Sequence, residues 1–274
     1  MPEITVREVK TALSETSLGA FHYALNPYRG CLHGCLYCYA PYVLREKREW
    51  GSFVEVRKNL PDVLLREIRR RGRERIIGLG TVTDPYQPVE KKYGVTRRCV
   101  EILKNSGRKF VIQTKSEGVL RDLDLLGDAK AEVGLTVTSI DERFTGIVEP
   151  FASTPAQRLN AVKVLGDAGI STYIFVGPIF PAFFREREKI DEFLGVLIQH
   201  NPCYVIFDRF RTRQGMMEKL LAKAPQYSEI FLEISKMTES DWQNLVQNLR
   251  DAAASAGLKV AISETESWKF SGEP

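Results

Sequence analysis

The feature that most constrains the fold is a regular alternation of short apolar runs with amphipathic segments of helical period. The apolar runs predict strands at residues 21–25, 75–79, 109–113, 132–137, 171–176, 204–207 and 258–262. The amphipathic segments predict helices capped by Asn59 and Thr96, and further helices at 120–126, 155–168, 185–199, 215–223 and 239–256. Strands that alternate with helices favour a mainly parallel α/β sheet, either a partial or complete β/α barrel or an open doubly wound sheet.

The composition favours one large domain. The chain has 274 residues, of which 43% are hydrophobic and 27% are charged, which is enough apolar surface for a single core. We expect one domain over residues 1–274, with its core at about 18–212 and a short C-terminal α/β extension at about 213–274. No apolar run approaches the roughly 18 residues that span a membrane, and residues 1–14 are charged, so we expect a cytoplasmic protein. The net charge of +4 permits an anionic partner without requiring one.

Three of the five cysteines fall within eight residues, just after the first predicted strand. Cys31, Cys35 and Cys38 have the spacing C-x3-C-x2-C, and Tyr37 stands directly before the last of them. Three thiolates can bind three irons of a [4Fe-4S] cubane and leave the fourth iron open to S-adenosylmethionine (SAM). The spacing therefore predicts an iron–sulfur site that binds and cleaves SAM.

Two other interpretations of this motif remain. Ferredoxin-type clusters use C-x2-C-x2-C spacing with a fourth cysteine, and a fourth protein ligand here would indicate a non-catalytic electron-transfer or redox-sensing protein. A structural zinc site would need a fourth ligand such as His33 or His22. Cys99 lies on the apolar face of a predicted helix and Cys203 opens a predicted strand, so we interpret both as small hydrophobic residues.

Two long motifs carry a resemblance to a known family. Residues 26–31 (Asn-Pro-Tyr-Arg-Gly-Cys), 37–40 (Tyr-Cys-Tyr-Ala) and 83–90 (Thr-Asp-Pro-Tyr-Gln-Pro-Val-Glu) resemble the spore photoproduct lyase-like, or DNA repair photolyase-like, branch of the radical SAM superfamily. The resemblance extends over roughly residues 20–210. It implies a partial (β/α)6 barrel of the TIM type, a [4Fe-4S] cluster, and cleavage of SAM to methionine and a 5′-deoxyadenosyl radical that abstracts a hydrogen atom. It also implies a reducing partner such as flavodoxin or ferredoxin.

The resemblance leaves the substrate open. The lyase acts on a thymine dimer in DNA, and this likeness, with the mildly basic charge, favours a nucleic acid or nucleotide over a peptide or small metabolite. The lyase also carries a cysteine beyond its second strand that returns a hydrogen atom to the product, and the segment Gly78–Asp84 contains no cysteine. This difference argues against photoproduct lyase activity itself.

Further site residues are predicted from their position, because active-site groups of β/α folds lie just beyond the carboxyl ends of the strands. For SAM, the predicted contacts are Tyr37, Thr81, Thr83, Asp84, Lys115, Thr138 and Ser139, and the resemblance further implies Gly177 and Ile179, where the superfamily often binds adenine. Lys115 is expected to pair with the SAM carboxylate, as a lysine at this place does in the resembled lyase, and Gly177 is expected to let a ligand approach the backbone. For the substrate, the predicted contacts are Arg29, Tyr39, Tyr86, Asp208 and Arg211.

Overall fold

The computed structural model describes residues 1–16, 18–19, 21–70, 72 and 74–262. Its strands are β1 (Glu3–Arg7), β2 (Leu13–Glu15), β3 (Tyr23–Leu25), β4 (Tyr28–Arg29), β5 (Phe53–Arg57), β6 (Ile77–Leu79), β7 (Phe110–Thr114), β8 (Ala131–Thr136), β9 (Ser171–Ile179), β10 (Tyr204–Arg209) and β11 (Val260–Ile262). Its helices are α1 (Ala40–Val43), α2 (Leu60–Ile68), α3 (Glu90–Tyr93), α4 (Val95–Asn105), α5 (Leu123–Leu126), α6 (Glu142–Val148), α7 (Pro155–Asp167), α8 (Arg187–Ile198), α9 (Met216–Lys223), α10 (Ser228–Lys236) and α11 (Glu239–Ser255). None of the described helices is long and apolar enough to cross a membrane.

Eight strands form one large sheet in the order β11-β10-β9-β8-β7-β6-β3-β2. Every neighbouring pair from β3 to β11 is parallel, and β2 runs antiparallel to β3. The edge strands β2 and β11 do not pair with each other in the described part of the chain, so the barrel is a partial one. The predicted parallel α/β fold is confirmed, and each of the seven predicted strands is present. β9 is longer than predicted and ends at Ile179, because it continues alongside β10, where Ile179 lies opposite Arg209.

Helix α7 shows how the predicted helices pack against this sheet. A reciprocal capping box starts it, in which the Gln157 backbone N–H donates to the Thr154 hydroxyl at 3.3 Å. Leu159, Val162 and Leu165 recur at helical spacing and are buried against β8 and β9. Each such burial contributes about 1.5–3 kcal/mol, so the apolar face holds α7 on the sheet.

Of the two predicted helix caps, Thr96 is wrong, and Asn59 is correct in position but does not cap through its side chain. The N-cap of α4 is Gly94, whose φ of 59° lies in the left-handed region that glycine adopts without strain. Thr96 is already inside that helix, and its hydroxyl donates to the Pro85 carbonyl at 2.5 Å. Asn59 occupies the N-cap position of α2, but its side chain bonds the backbone of Val9 at 2.9 and 3.0 Å and leaves the helix uncapped by a side chain.

A second sheet, in the order β1-β5-β4, has no counterpart among the predicted elements. β1 pairs in parallel with β5, with Glu3 opposite Phe53, and β4 pairs antiparallel with β5, with Tyr28 opposite Val56. The strand β4 ends two residues before Cys31. The small sheet therefore fixes the point at which the chain enters the cysteine loop, which we define as residues 30–39.

Candidate active site

The cysteine loop lies between β4 and α1 and is largely buried. Cys31 and Cys35 are 7% and 6% exposed, Cys38 is half-buried, and none of the three forms a disulfide. Cys31 and Cys38 pack in a small apolar cluster with Trp50, and the Trp50 indole favours the ionised form of the Cys38 thiol. Cys35 belongs to the main core instead. The loop thus presents three reduced thiols from one short stretch of backbone.

The second motif, residues 83–90, holds the backbone of this loop. The Thr83 hydroxyl donates to the Gly30 carbonyl at 2.6 Å. The Gln87 side chain accepts from the Leu32 N–H at 2.9 Å and donates to the Gly30 carbonyl at 3.2 Å. All of these groups are buried, so the hydrogen bonds are shielded from water and fix the loop in one position. The two motifs that carry the family resemblance are therefore one structural unit.

Asp84 ties the same loop to the carboxyl end of β7. Its carboxylate accepts from the Thr114 hydroxyl, the Lys115 N–H and the Tyr86 N–H at 2.7, 2.7 and 2.8 Å, and lies 3.3 Å from His33 Nδ1. Burial alone would raise the pKa of Asp84, but the His33 imidazole and these hydrogen bonds hold it at about 2. Thr83 and Asp84 thus have partners within the chain, and their contact with SAM stays a prediction.

A buried charged network anchors the other side of the loop. Glu149 accepts hydrogen bonds from the Tyr37 hydroxyl and, at 3.0 Å, from the Thr138 hydroxyl, and it pairs with the Arg158 guanidinium. The side chains of Glu149 and Arg158 are 0% and 1% exposed. Burial by itself would raise the pKa of Glu149, but Arg158 and then Lys115 hold it below its ordinary value. The network therefore fixes Tyr37 with an ionised carboxylate.

The surroundings of the three thiols fit an iron–sulfur cluster. Burial raises the pKa of all three, and that of Cys35 to about 12. Removing the proton from a buried thiol costs free energy, and metal binding offsets that cost because the metal coordinates the thiolate. Positive side chains lie close by, with Lys115 and Lys219 acting on Cys38 and Arg158 acting on Cys35. These cations offset the negative charge that three thiolates bring into a buried site.

The histidines considered as zinc ligands have other partners. His33 Nδ1 faces Asp84, and His22 Nδ1 accepts from the Ile76 N–H at 3.1 Å. Among the residues that the structure describes, no three His, Cys, Asp or Glu side chains converge on a position for a single metal ion. Thiolates that each bind a different iron of a cluster have no need to converge in this way.

The predicted SAM contacts divide into two groups. Lys115 lies at the carboxyl end of β7, and its Nζ is 5.6 Å from the centroid of the Tyr37 ring. Its ammonium group forms no ion pair with the described residues. Thr81 exchanges hydrogen bonds with Asn26 at 3.0 and 3.4 Å, and the Ser139 hydroxyl accepts from the backbone just before α6. Lys115 and Tyr37 thus lie beside the cysteines, whereas Thr81 and Ser139 already bond to the chain.

Gly177 has a packing role in the structure. A Cβ at this residue would lie 2.1 Å from the Phe175 ring, so the glycine makes room for a neighbouring side chain. Both Gly177 and Ile179 lie within β9 instead of the loop after it, and Ile179 is fully buried. Their predicted contact with SAM stays a prediction.

The predicted substrate residues are not all in one place. Tyr39 is 43% exposed, and its hydroxyl donates to the Thr81 carbonyl beside the cysteine loop. Asp208 lies near the end of β10 and pairs with Arg211 at 2.8 Å. The charge of Asp208 also acts on Tyr39. Tyr86 is buried and donates to Asp122 at 2.9 Å. Tyr86 thus has a partner within the chain, and its contact with a substrate stays a prediction.

The fifth predicted substrate residue, Arg29, is half-buried and pairs with Glu46 at 3.1 Å. Sequence reasoning missed Gln87, Glu149, Arg158 and Trp50. A signal existed for Arg158, because it lies on the same face of α7 as the apolar residues Leu159 and Val162. A charged residue at such a position has a buried partner.

Comparison with known proteins places this site in a family. A family model described as the radical SAM superfamily matches residues 25–194. An uncharacterized protein of Methanocaldococcus jannaschii is 36% identical over 184 residues, which is 65% of this chain and 68% of the relative. An uncharacterized protein of Mycobacterium tuberculosis is 34% identical over 211 residues, 70% of this chain and 61% of the relative. The chain belongs to the radical SAM superfamily, and it is a radical SAM enzyme, a class that binds SAM and an iron–sulfur cluster.

Solved structures show a similar fold. A cysteine-to-serine variant of spore photoproduct lyase superimposes with a TM-score of 0.75 at 16% identity, covering 95% of this chain and 81% of that one. A double variant of the same lyase with bound SAM and a dinucleoside spore photoproduct gives a TM-score of 0.72 at 15% identity, covering 96% and 82%. At these identities the likeness concerns the fold, and the match covers nearly the whole chain.

Proposed function

We propose that Cys31, Cys35 and Cys38 hold a [4Fe-4S] cluster and that the enzyme abstracts a hydrogen atom from a nucleic acid or nucleotide. The observation that carries this proposal is the cysteine loop itself, with three reduced thiols held from both sides by buried polar contacts. The two other cysteines lie elsewhere: Cys99 is buried in α4, and Cys203 precedes β10 at the amino end of the sheet. The donor set therefore supplies three protein ligands, which leaves one iron of a cubane for SAM.

With cluster and SAM bound, the chemistry supplied is reductive cleavage of the sulfonium to methionine and a 5′-deoxyadenosyl radical, which takes a hydrogen atom from the substrate. The residues of the chain bind and orient. Lys115 offers an ammonium group to the SAM carboxylate. The rings of Phe180 and Phe210 pack on Tyr37, with centroids 5.6 and 6.5 Å away, and keep water from that side of the loop.

The proposed substrate class rests on the lyase neighbour and on the exposed side chains beside the loop. The lyase structure contains a dinucleoside photoproduct. Here the exposed ring of Tyr39 offers a stacking surface, and Arg211 offers a cation for a phosphate. Residues 78–84 contain no cysteine, so we propose a reaction other than photoproduct cleavage. Flavodoxin or ferredoxin is the proposed electron donor.

The first test uses anaerobically reconstituted protein with SAM and dithionite. We expect about four irons per chain, as the cubane formula requires, and formation of 5′-deoxyadenosine. Cys35→Ala should abolish the product, and Cys203→Ala is the matched control that should retain it. Zinc in place of iron, or an intact cluster in Cys35→Ala, would contradict the proposed ligands. An intact wild-type cluster without SAM binding would instead favour a non-catalytic iron–sulfur protein.

The substrate class is tested separately. Single-stranded and duplex oligonucleotides are added to the same assay, with a short peptide of equal charge as the comparison. We expect the oligonucleotide to increase 5′-deoxyadenosine formation and its binding to weaken with salt. An absence of oligonucleotide binding at low salt would refute the nucleic-acid part and leave a mononucleotide or another metabolite.

A further inference from the structure

The C-terminal helix α9 is fixed beside the cysteine loop, although it lies beyond the residues that the family model matches. Met216 and Leu220 anchor it in the main core at 1% and 0% exposure. Lys223 Nζ lies 3.2 Å from the Glu49 carboxylate, which holds the helix next to the segment before Trp50. One turn earlier than Lys223, Lys219 occupies the same face of the helix.

Lys219 faces the region of the thiols, because Lys223 on the same face of α9 pairs with Glu49, and the next residue, Trp50, packs in one cluster with Cys38. The charges of Cys38, Glu49 and Cys35 all act on its ammonium group. The side chain is half-buried, and it forms no ion pair or hydrogen bond with the described residues. Burial lowers the pKa of Lys219, which shows that the ammonium group is partly removed from water. A partly desolvated cation is unfavourable unless negative charge lies nearby, and here that charge comes from the cysteine sulfurs and from Glu49, which also pairs with Lys223.

We propose that Lys219 stabilises the negative charge of the reduced cluster held by Cys31, Cys35 and Cys38. This inference rests on the proposed function. Three thiolates give the site a net negative charge, and the electron delivered by a low-potential reductant increases it by one. A nearby cation stabilises the reduced form more than the oxidised form, because the Coulomb energy grows with the charge it faces. Lys219 therefore raises the midpoint potential and makes the cluster easier to reduce.

Lys219 complements Lys115, which acts on the same two sulfurs, Cys35 and Cys38, from the end of β7. Lys115 belongs to the SAM site through its contact with Tyr37. Lys219 comes from the C-terminal segment and has no such contact. The two lysines thus have separate tasks, one at the SAM carboxylate and one at the cluster charge.

The experiment is a potentiometric titration of reconstituted holoprotein with titanium(III) citrate, followed by the electron paramagnetic resonance signal of the reduced cluster. Lys219→Met should lower the midpoint potential, Lys219→Gln should lower it similarly, and Lys219→Arg should restore it. Lys223→Met is the matched control. It removes the same charge one turn further along α9, where Lys223 forms a solvent-exposed pair with Glu49, and it should leave the potential close to that of the wild type. Iron content is measured for every variant.

The outcomes separate this inference from the proposed function. A wild type without a reducible cluster would refute the proposed function itself. A wild-type cluster whose potential is unchanged in Lys219→Met and Lys219→Gln would overturn the inference alone. A loss of SAM affinity without a change in potential would also overturn it and would assign Lys219 to SAM or substrate binding. A shift of the same size in Lys223→Met would show a general charge effect and contradict a specific role.

Discussion

The buried pair Glu149 and Arg158 offers a prediction that the structure allows to be worked out in energy. Replacing Glu149 with leucine keeps the volume of the side chain similar and leaves the Arg158 guanidinium buried without its counter-ion. Arg158 retains hydrogen bonds to the Ser153 and Thr136 carbonyls at 2.7 and 3.0 Å. Its charge is not neutralised by these carbonyls, so the side chain is destabilising where it stands.

The magnitude follows from the partners that are lost. An uncompensated buried charge costs about 3–5 kcal/mol. The hydroxyls of Tyr37 and Thr138 lose their acceptor, at about 1–3 kcal/mol each. The lower ends of these ranges give a destabilisation of about 5 kcal/mol for Glu149→Leu. At about 2 °C per kcal/mol for a chain of this size, the thermal midpoint should fall by about 10 °C.

The assay is thermal unfolding of anaerobically prepared wild type, Glu149→Leu, Arg158→Met and the double variant. Arg158→Met alone should cost about 3–5 kcal/mol, because it leaves the Glu149 carboxylate buried. The double variant has no buried charge, so its loss should be smaller than the sum of the single losses by at least about 2 kcal/mol. Additive losses, or single losses below about 1 kcal/mol, would show that the pair is solvated and would refute the reasoning.

Three further predictions follow from the same structure. Glu149→Gln should destabilise the protein most at neutral pH and less in acid. The pKa of Glu149 in the folded protein lies below its unfolded value of about 4.3. The stability that its charge contributes is therefore present above that value and is lost as the pH falls through the folded pKa. Urea unfolding at several pH values measures this, and a constant difference would contradict it. Gly177→Ala should cost about 1–3 kcal/mol because its Cβ would meet the Phe175 ring, whereas the control Gly195→Ala, inside α8 with open space, should stabilise by about 0.5–1 kcal/mol; equal effects would contradict the packing argument. Lys115→Met should weaken SAM binding to the holoprotein by about tenfold or more, as measured by equilibrium titration, and an unchanged Kd would remove Lys115 from the SAM site.

The sequence by itself determined the order of strands and helices along the chain and the place of the cysteines. Apolar runs of strand length between helical segments are local patterns, and each one marks an element whatever its neighbours are. The spacing of Cys31, Cys35 and Cys38 is also local, since all three belong to one short loop. The family resemblance followed from this loop together with residues 83–90. These features needed no knowledge of which distant segments meet.

Only the tertiary structure decided what holds the loop. Thr83 and Asp84 have polar side chains at a strand end, and the pattern could not show whether they face a ligand or the chain. Glu149 lies 112 residues from the Tyr37 hydroxyl that it accepts from. The pairing of β1 with β5 joins residues about fifty positions apart in the same way. Such contacts depend on how the strands and helices pack, so the sequence located the cysteine loop, and the fold determined which distant residues hold it in place.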